Sequence, residues 1–189
     1  LHPLKNLNVM GDGGMVTTDD AGLAQEIRLL RNHGLQDRDT VVRPGYNSRL
    51  DTIQAIVGLE VLKELPKVTA LRQDNAWRYD LGLQGVKEVT IPFRDPDVEQ
   101  VYHLYQIEAE RRDELLAHLQ GLGVEAKVHY PIPLHMQPAF KALGYQAGDF
   151  PRAEAFAASH ITLPCHQFLT SEQVSYVIEC IHAFYQSGD

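Results

Sequence analysis

A segment opening at Asp51 sets Ile53, Ile56, Val57, Leu59, Val61 and Leu62 at helical spacing and runs on through Trp77 and Tyr79 to about Leu83. That periodicity predicts one long helix. Pro66 falls inside it, where a missing N–H and a fixed φ would kink the helix. Upstream, Gly14 to Thr18 reads as a short strand, and Asp19-Asp20 caps a helix carrying Leu23, Ile27 and Leu30. Gly34 is its expected C-cap, and Gln36 to Pro44 is a polar loop. After Gly85 the character changes. Val86 to Pro92 and Val101 to Ala109 read as strands, the second alternating Val101, His103, Tyr105, Ile107. Arg112 to Leu122 reads as a helix ended by Gly123, and Val124 to Val128 as another short strand. Pro131, Pro133 and Pro138 then punctuate a loop, followed by a helix from Pro151 to Ser159 and a last one over Val174 to Tyr185. Strands alternating with helices indicate an α/β layer structure. The expected boundary lies near Leu83, between a piece of a larger domain and a compact α+β domain.

Composition narrows the function classes. The 189 residues are 44% hydrophobic and 22% charged, as a folded globular chain is. Asp plus Glu number 25 against 17 Lys plus Arg, a net charge of −8. That balance argues against nucleic acid as a partner, because phosphate contacts need clustered cations. No apolar run approaches the roughly 20 residues that span a bilayer. Leu1 to Val9 shows neither a basic n-region nor a small-residue cleavage site, so no signal peptide is expected. Two cysteines, Cys165 and Cys180, are too few for a disulfide framework and suggest a reducing compartment, the cytoplasm.

Three polar clusters could carry chemistry. Lys5 stands in "HPLKNLNVMGDGG". A lysine amine is a nucleophile toward aldehydes once neutral, and pyridoxal phosphate enzymes hold their cofactor through one. The plain alternative is a surface lysine. Gly11, Gly13 and Gly14 fit neither a phosphate loop, for want of Gly-Lys-Ser/Thr, nor a dinucleotide fingerprint, since a strand is expected next. A turn that returns the chain into that strand fits better. In "PGYNSRLD", Asn47 offers an amide and Arg49 a guanidinium fork, suited to a phosphate or other anion, with Asp51 as N-cap. A capping loop with an exposed arginine is the alternative. "KVHYPIPLHMQP" holds His129, Tyr130 and His135 on a proline-stiffened loop, able to bind a hydroxylated substrate or move protons. A rigid connector with hydrogen-bonded histidines is the plain reading. His-x5-His without nearby Cys or acidic ligands is poor spacing for zinc. His103 reads as structural.

Together and in order, these stretches resemble the DegT/StrS-type sugar aminotransferases, a branch of the fold-type I pyridoxal phosphate enzymes. "HPLKNLNVMGDGGMVTTDD" is similar to the family's cofactor-lysine segment, and "LRNHG" with "GYNSRLDTIQAIVGL" to the segment after it. "VYHLYQI", "VHYPIPLHMQPAF" and "LPCHQFLTSEQV" are similar to the signatures of its C-terminal domain. The resemblance implies an α/β, fold-type I transferase-like architecture. Residues 1–83 would be the C-terminal part of the large cofactor domain, with a mixed sheet, helices and the long connecting helix; residues 84–189 would be the small α+β domain. It implies that Lys5 is the catalytic amine that holds pyridoxal 5'-phosphate. It implies that Asn47 reaches across a homodimer interface to the cofactor phosphate of the other subunit, with Arg49 facing the same neighbouring site. His129, Tyr130 and His135 would lie on the substrate side. The implied reaction is amino transfer between glutamate and a nucleotide-linked keto sugar. Dehydratases of the family can carry histidine in place of the lysine, so Lys5 favours transamination. The family's segment ahead of the lysine holds an aspartate for the pyridine nitrogen, a ring-stacking group and a serine near the phosphate, and none has a counterpart here. The expectation is therefore the C-terminal half of such an enzyme, holding the cofactor poorly alone and needing the rest of the large domain as partner. A non-catalytic folding or dimerisation module is the alternative for the fragment by itself.

Overall fold

A computed structural model describes residues 1–186 of the chain. They form two compact units, the first ending at Pro66 and the second beginning at Lys67. In the first unit, helix α1 (Ala21–Leu30) starts where the acidic pair predicts, with the Asp20 carboxylate accepting the Leu23 N–H at 3.0 Å. Past its end, Gly34 takes the left-handed conformation, φ 73°, and its N–H reaches the Leu29 carbonyl at 2.8 Å. The strand expected over residues 14–18 is not formed; that stretch is irregular. A strand exists only where a neighbouring backbone takes up its N–H and C=O groups, and none of the described strands lies in this unit.

Helix α2 (Thr52–Leu83) carries Pro66 in its interior. The helix is continuous as expected, but its two halves differ. None of its residues up to Pro66 is buried, whereas Thr69, Arg72, Asn75, Ala76, Tyr79 and Leu83 are. The compact units therefore divide at Pro66, not near Leu83, because the last turns of α2 build the second core.

That core has a three-stranded antiparallel sheet, in the order β1 (Val89–Thr90), β2 (Tyr105–Ala109), β3 (His160–Leu163). β2 alternates as its sequence predicts, turning Tyr105, Ile107 and Ala109 into the core. Both early strands are shorter than expected, and residues 124–128 contribute only a single bridge, Lys127 to Thr162. β3 is buried at all four positions. It shows no alternation, which hides it from pattern reading. Helices α3 (Arg112–Gly121), α4 (Pro151–Ser159) and α5 (Ser171–Gln186) complete the unit. Leu115 and Leu119 of α3 and Val174, Val177 and Ile181 of α5 join Tyr79 and Leu83 in one cluster. Gly82 lets α5 approach closely: a Cβ there would stand 2.5 Å from Ile178 Cδ1. Two short 3-10 turns, Leu134–Met136 and Pro138–Leu143, follow the proline loop.

One polar face of α2 holds the chain after β3. Tyr79 donates to the Pro164 carbonyl at 3.0 Å, Asn75 to His166 O at 3.0 Å and Arg72 to Cys165 O at 2.9 Å. Arg72 also reaches Tyr102 O and the Gln167 side chain, at 3.0 and 3.2 Å. The spacing of these donors puts them on one side of the helix. Beside them, Asp80 binds Arg94 through both oxygens, at 2.9 and 3.1 Å, and accepts the Tyr105 hydroxyl at 2.7 Å. Removing a single neutral donor should cost less than leaving several buried carbonyls without a partner. Tyr79→Phe is expected to lower stability by about 1 kcal/mol and Arg72→Met by about 2–4 kcal/mol. Urea unfolding followed by circular dichroism checks this, and equal costs for the two would refute the ranking.

Candidate active site

The Lys5 loop is folded by its own polar groups. The Lys5 N–H meets His2 O at 2.9 Å, and Asn8 Nδ2 donates to Lys5 O at 2.8 Å. Gln54, in the first turn of α2, grips the loop from the helix. Its Oε1 accepts the Met10 N–H at 2.8 Å and its Nε2 donates to Met10 O at 3.2 Å. Of the three glycines after the lysine, Gly11 and Gly13 leave room for their neighbours, whereas Gly14 stands in open space. None has positive φ, but a Cβ on Gly13 would sit 3.0 Å from Leu50 Cδ1 and one on Gly11 3.2 Å from Gln54 Nε2. The Lys5 side chain is exposed on this braced loop.

Asn47 and Arg49 share the first unit with Lys5. Residues 46–48 are zipped to the end of α1 by three backbone bonds: Tyr46 N to Leu30 O, His33 N to Tyr46 O and Ser48 N to Arg31 O, at 2.7–2.9 Å. Both side chains are exposed, on backbone that the ladder fixes. Asp51 stands just ahead of α2, its carbonyl accepting the Ala55 N–H at 3.0 Å. The Lys5 amine suits an aldehyde, and the Asn47 carboxamide and Arg49 guanidinium suit a phosphate or other anion, so the residue types, taken one by one, fit pyridoxal phosphate.

His129, Tyr130 and His135 lie in the second unit, on the proline loop. Tyr130 and His135, with Ile132 and Leu134, line one wall of a cavity of about 580 Å³; Phe150 and Phe156 line the other. Tyr130 is exposed. His135 is not: its side chain is 7% accessible, its ring packs on Phe150 at 4.8 Å and its Nε2 lies 2.9 Å from Glu154 Oε1. Glu154, in the first turn of α4, also accepts the Gly148 N–H on both oxygens, at 2.9 Å each. One carboxylate thus joins the two walls. His129 is half-buried, with Nδ1 2.9 Å from the Thr162 hydroxyl. Gln54, Glu154 and Thr162 escaped sequence reasoning. Gln54 and Glu154 look like ordinary polar helix residues, and Thr162 sits in the strand that pattern did not show. Among the described residues, no three His, Cys, Asp or Glu side chains group as a metal site, and no helix is long and apolar enough to cross a membrane.

The chain shares its fold with solved aminotransferases. The match to a known family is direct. Residues 1–182 fit the DegT/DnrJ/EryC1/StrS aminotransferase family, and the chain belongs to it. It is 38% identical, over 188 residues, to dTDP-3-amino-3,4,6-trideoxy-alpha-D-glucose transaminase of Streptomyces venezuelae, covering 100% of this chain and 50% of the relative. The crystal structure of S. venezuelae DesV in complex with a ketimine intermediate superposes with a TM-score of 0.96 at 38% identity, covering 99% of this chain and 50% of that one. Spr1654 of Streptococcus pneumoniae in its PLP form superposes with a TM-score of 0.81 at 30% identity, covering 92% and 46%. The chain spans about half the length of the relatives it matches.

The Glu154 carboxylate is held below its ordinary value of 4.5, first by the Gly148 N–H and then by the His135 side chain. A depressed carboxylate stabilises the fold above its unfolded value and loses that contribution as pH falls through the folded one. The stability gap between the native chain and Glu154→Gln should therefore be widest above pH 4.5 and close below it. Chemical denaturation across that window measures the gap, and one independent of pH would refute the role of the charge.

Proposed function

We propose that this chain forms half of a pyridoxal phosphate-dependent aminotransferase that moves an amino group from glutamate to a nucleotide-linked keto sugar. The observation that carries the reading is Lys5, retained within a family match that runs over residues 1–182. The named relative that covers the whole chain is a transaminase of a dTDP-linked sugar. The dehydratase reading is disfavoured by the lysine itself.

When bound, pyridoxal phosphate supplies an electron sink for the carbanion at the donor's α-carbon. The chain's residues supply position and proton transfer. Lys5 Nζ would hold the cofactor and would take up and return a proton at the donor's α-carbon. Gln54, by gripping the backbone at Met10, keeps the lysine loop from drifting. Asn47 Nδ2 would donate to the cofactor phosphate of a second subunit, and the Arg49 fork would face an anion at the same neighbouring site. His129 and Tyr130 orient the sugar, and His135 acts through Glu154 to fix the wall that carries Tyr130. The acting enzyme is a homodimer of polypeptides of the relatives' length. The apolar side chains left exposed on the first unit, among them Met10, Ile53, Ile56 and Leu59, support further protein covering them. Cys165 and Cys180 are free thiols, which supports a cytoplasmic setting.

In the enzyme of full length, borohydride reduction in the presence of the cofactor should fix its mass on the peptide that carries Lys5. Lys5→Ala should lower amino transfer from glutamate by about 10²–10⁴-fold or more. Capture of the cofactor on another lysine, with activity surviving in Lys5→Ala, would overturn the assignment.

A further inference from the structure

We propose that the cavity between the proline loop and α4 binds a small molecule with an apolar body and one hydroxyl group, and that His160 Nε2 receives the hydroxyl hydrogen. Two independent observations meet here. His160 is one of the residues that line the cavity. It is 1% exposed, and its Nε2 is buried with no hydrogen-bond partner among the described residues.

The strand delivers the imidazole to this place. Ile161 and Leu163 of β3 turn into the core, so His160 points from the other face, toward α4. There its ring lies flat on Phe156, with centroids 4.4 Å and planes 3° apart. Arg112 fixes the backbone beneath it, donating to the His160 carbonyl at 2.8 Å. Chemistry then assigns the ring hydrogen. Nδ1 stands 2.5 Å from the Phe156 carbonyl, which can only accept, so Nδ1 is the donor. In the neutral ring Nε2 is left as a bare acceptor. Such an atom has given up water without replacement, and a ligand's donor would remove that cost.

The rest of the cavity defines the ligand. Ile132, Leu134, Phe150 and Ala157 supply apolar wall. His135 Nε2 is engaged by Glu154, and Gln137 Nε2 reaches the Ile132 carbonyl at 3.4 Å. One unpaired acceptor among apolar walls complements a molecule with one donor; further polar groups on the ligand would themselves go unpaired. The volume of about 580 Å³ accommodates an alkylated aromatic ring. Phe156 is the part of the wall able to yield: 37% of its surface meets solvent, and turning its side chain outward bares the imidazole to the cavity. All of these residues lie in the second unit, and the inference does not depend on the amino-transfer reading.

Thymol and thymol methyl ether share an apolar body and differ in the donor, so calorimetric titration of the full-length enzyme with each tests the site. An apolar cavity alone favours the less hydrated ether. At about pH 8, where an ordinary imidazole is neutral, the native enzyme should instead bind thymol about tenfold more tightly than the ether. His160→Phe retains a ring against Phe156 and leaves the Phe156 carbonyl its backbone N–H donor from position 160; it should reverse the preference. Ala153→Leu fills the cavity from an exposed position on α4 and should weaken binding of both probes, which locates the site even where His160→Phe fails to fold. No binding of thymol, tighter binding of the ether by the native enzyme, an unchanged preference in folded His160→Phe, or unchanged binding in Ala153→Leu overturns the proposal.

Discussion

The second half of helix α2 carries a row of donors, and the chain beyond β3 has few other places to put its carbonyls. Pro164, Cys165 and His166 present three successive C=O groups, and Tyr79, Arg72 and Asn75 take one each. These partners lie 85, 93 and 91 residues apart in sequence. A buried carbonyl left without a donor costs as much as a lost hydrogen bond. Among the described residues no carboxylate pairs with Arg72; the carbonyl dipoles and the Gln167 amide oxygen solvate its charge, and burial lowers its pKa from the usual value. The same guanidinium reaches the Tyr102 and His103 carbonyls just before β2. One side chain therefore sets the entry to β2 and the exit from β3, the two strands that position His129.

The residues nearest the proposed chemistry are held by neighbours of a plainer kind. Gln54 grips the backbone behind Lys5, the end of α1 zips the backbone beside Asn47, and Glu154 joins the two walls of the cavity next to Tyr130. In each case a polar group with no part in the reaction spends its hydrogen bonds on backbone or on an imidazole. Preorganisation of this sort is what lets a loop carry a reacting group at all. It also explains the division between His129 and His135. The first lies on a sheet face beside a hydroxyl, and the second is packed on Phe150 and satisfied by Glu154.

Much of the helical framework was legible. The Asp20 cap, the run from Thr52 to Leu83 and the helix after Pro151 follow from capping chemistry and 3.6-residue periodicity, both of which act within a few residues. The core parity of Tyr105 and Ile107 was visible as alternation. Three features were not. Residues 14–18 look like a strand but find no neighbouring strand among the described residues of their unit. Residues 160–163 are a strand that looks like nothing in particular, because burial on both faces erases the alternation. The glycines at 11 and 13 serve close packing against Gln54 and Leu50 rather than a left-handed turn, a distinction that depends on what lies opposite them.

The order of motifs, Lys5 first, then "GYNSRLD", then "YPIPLH", resembled one family closely enough to place this chain in it and to make a lysine the proposed reactive group, because residue identity and local spacing are what such a resemblance is read from. The tertiary structure decided which side chains those residues lean on: Gln54 for the lysine loop, Glu154 for His135, Thr162 and Gln106 for His129, and Arg72 for the strands that hold His129. Such pairings join positions up to 95 residues apart. Their bonds depend on angle and on distances of about 3 Å, and nothing in local propensity or hydrophobic period encodes a contact of that range.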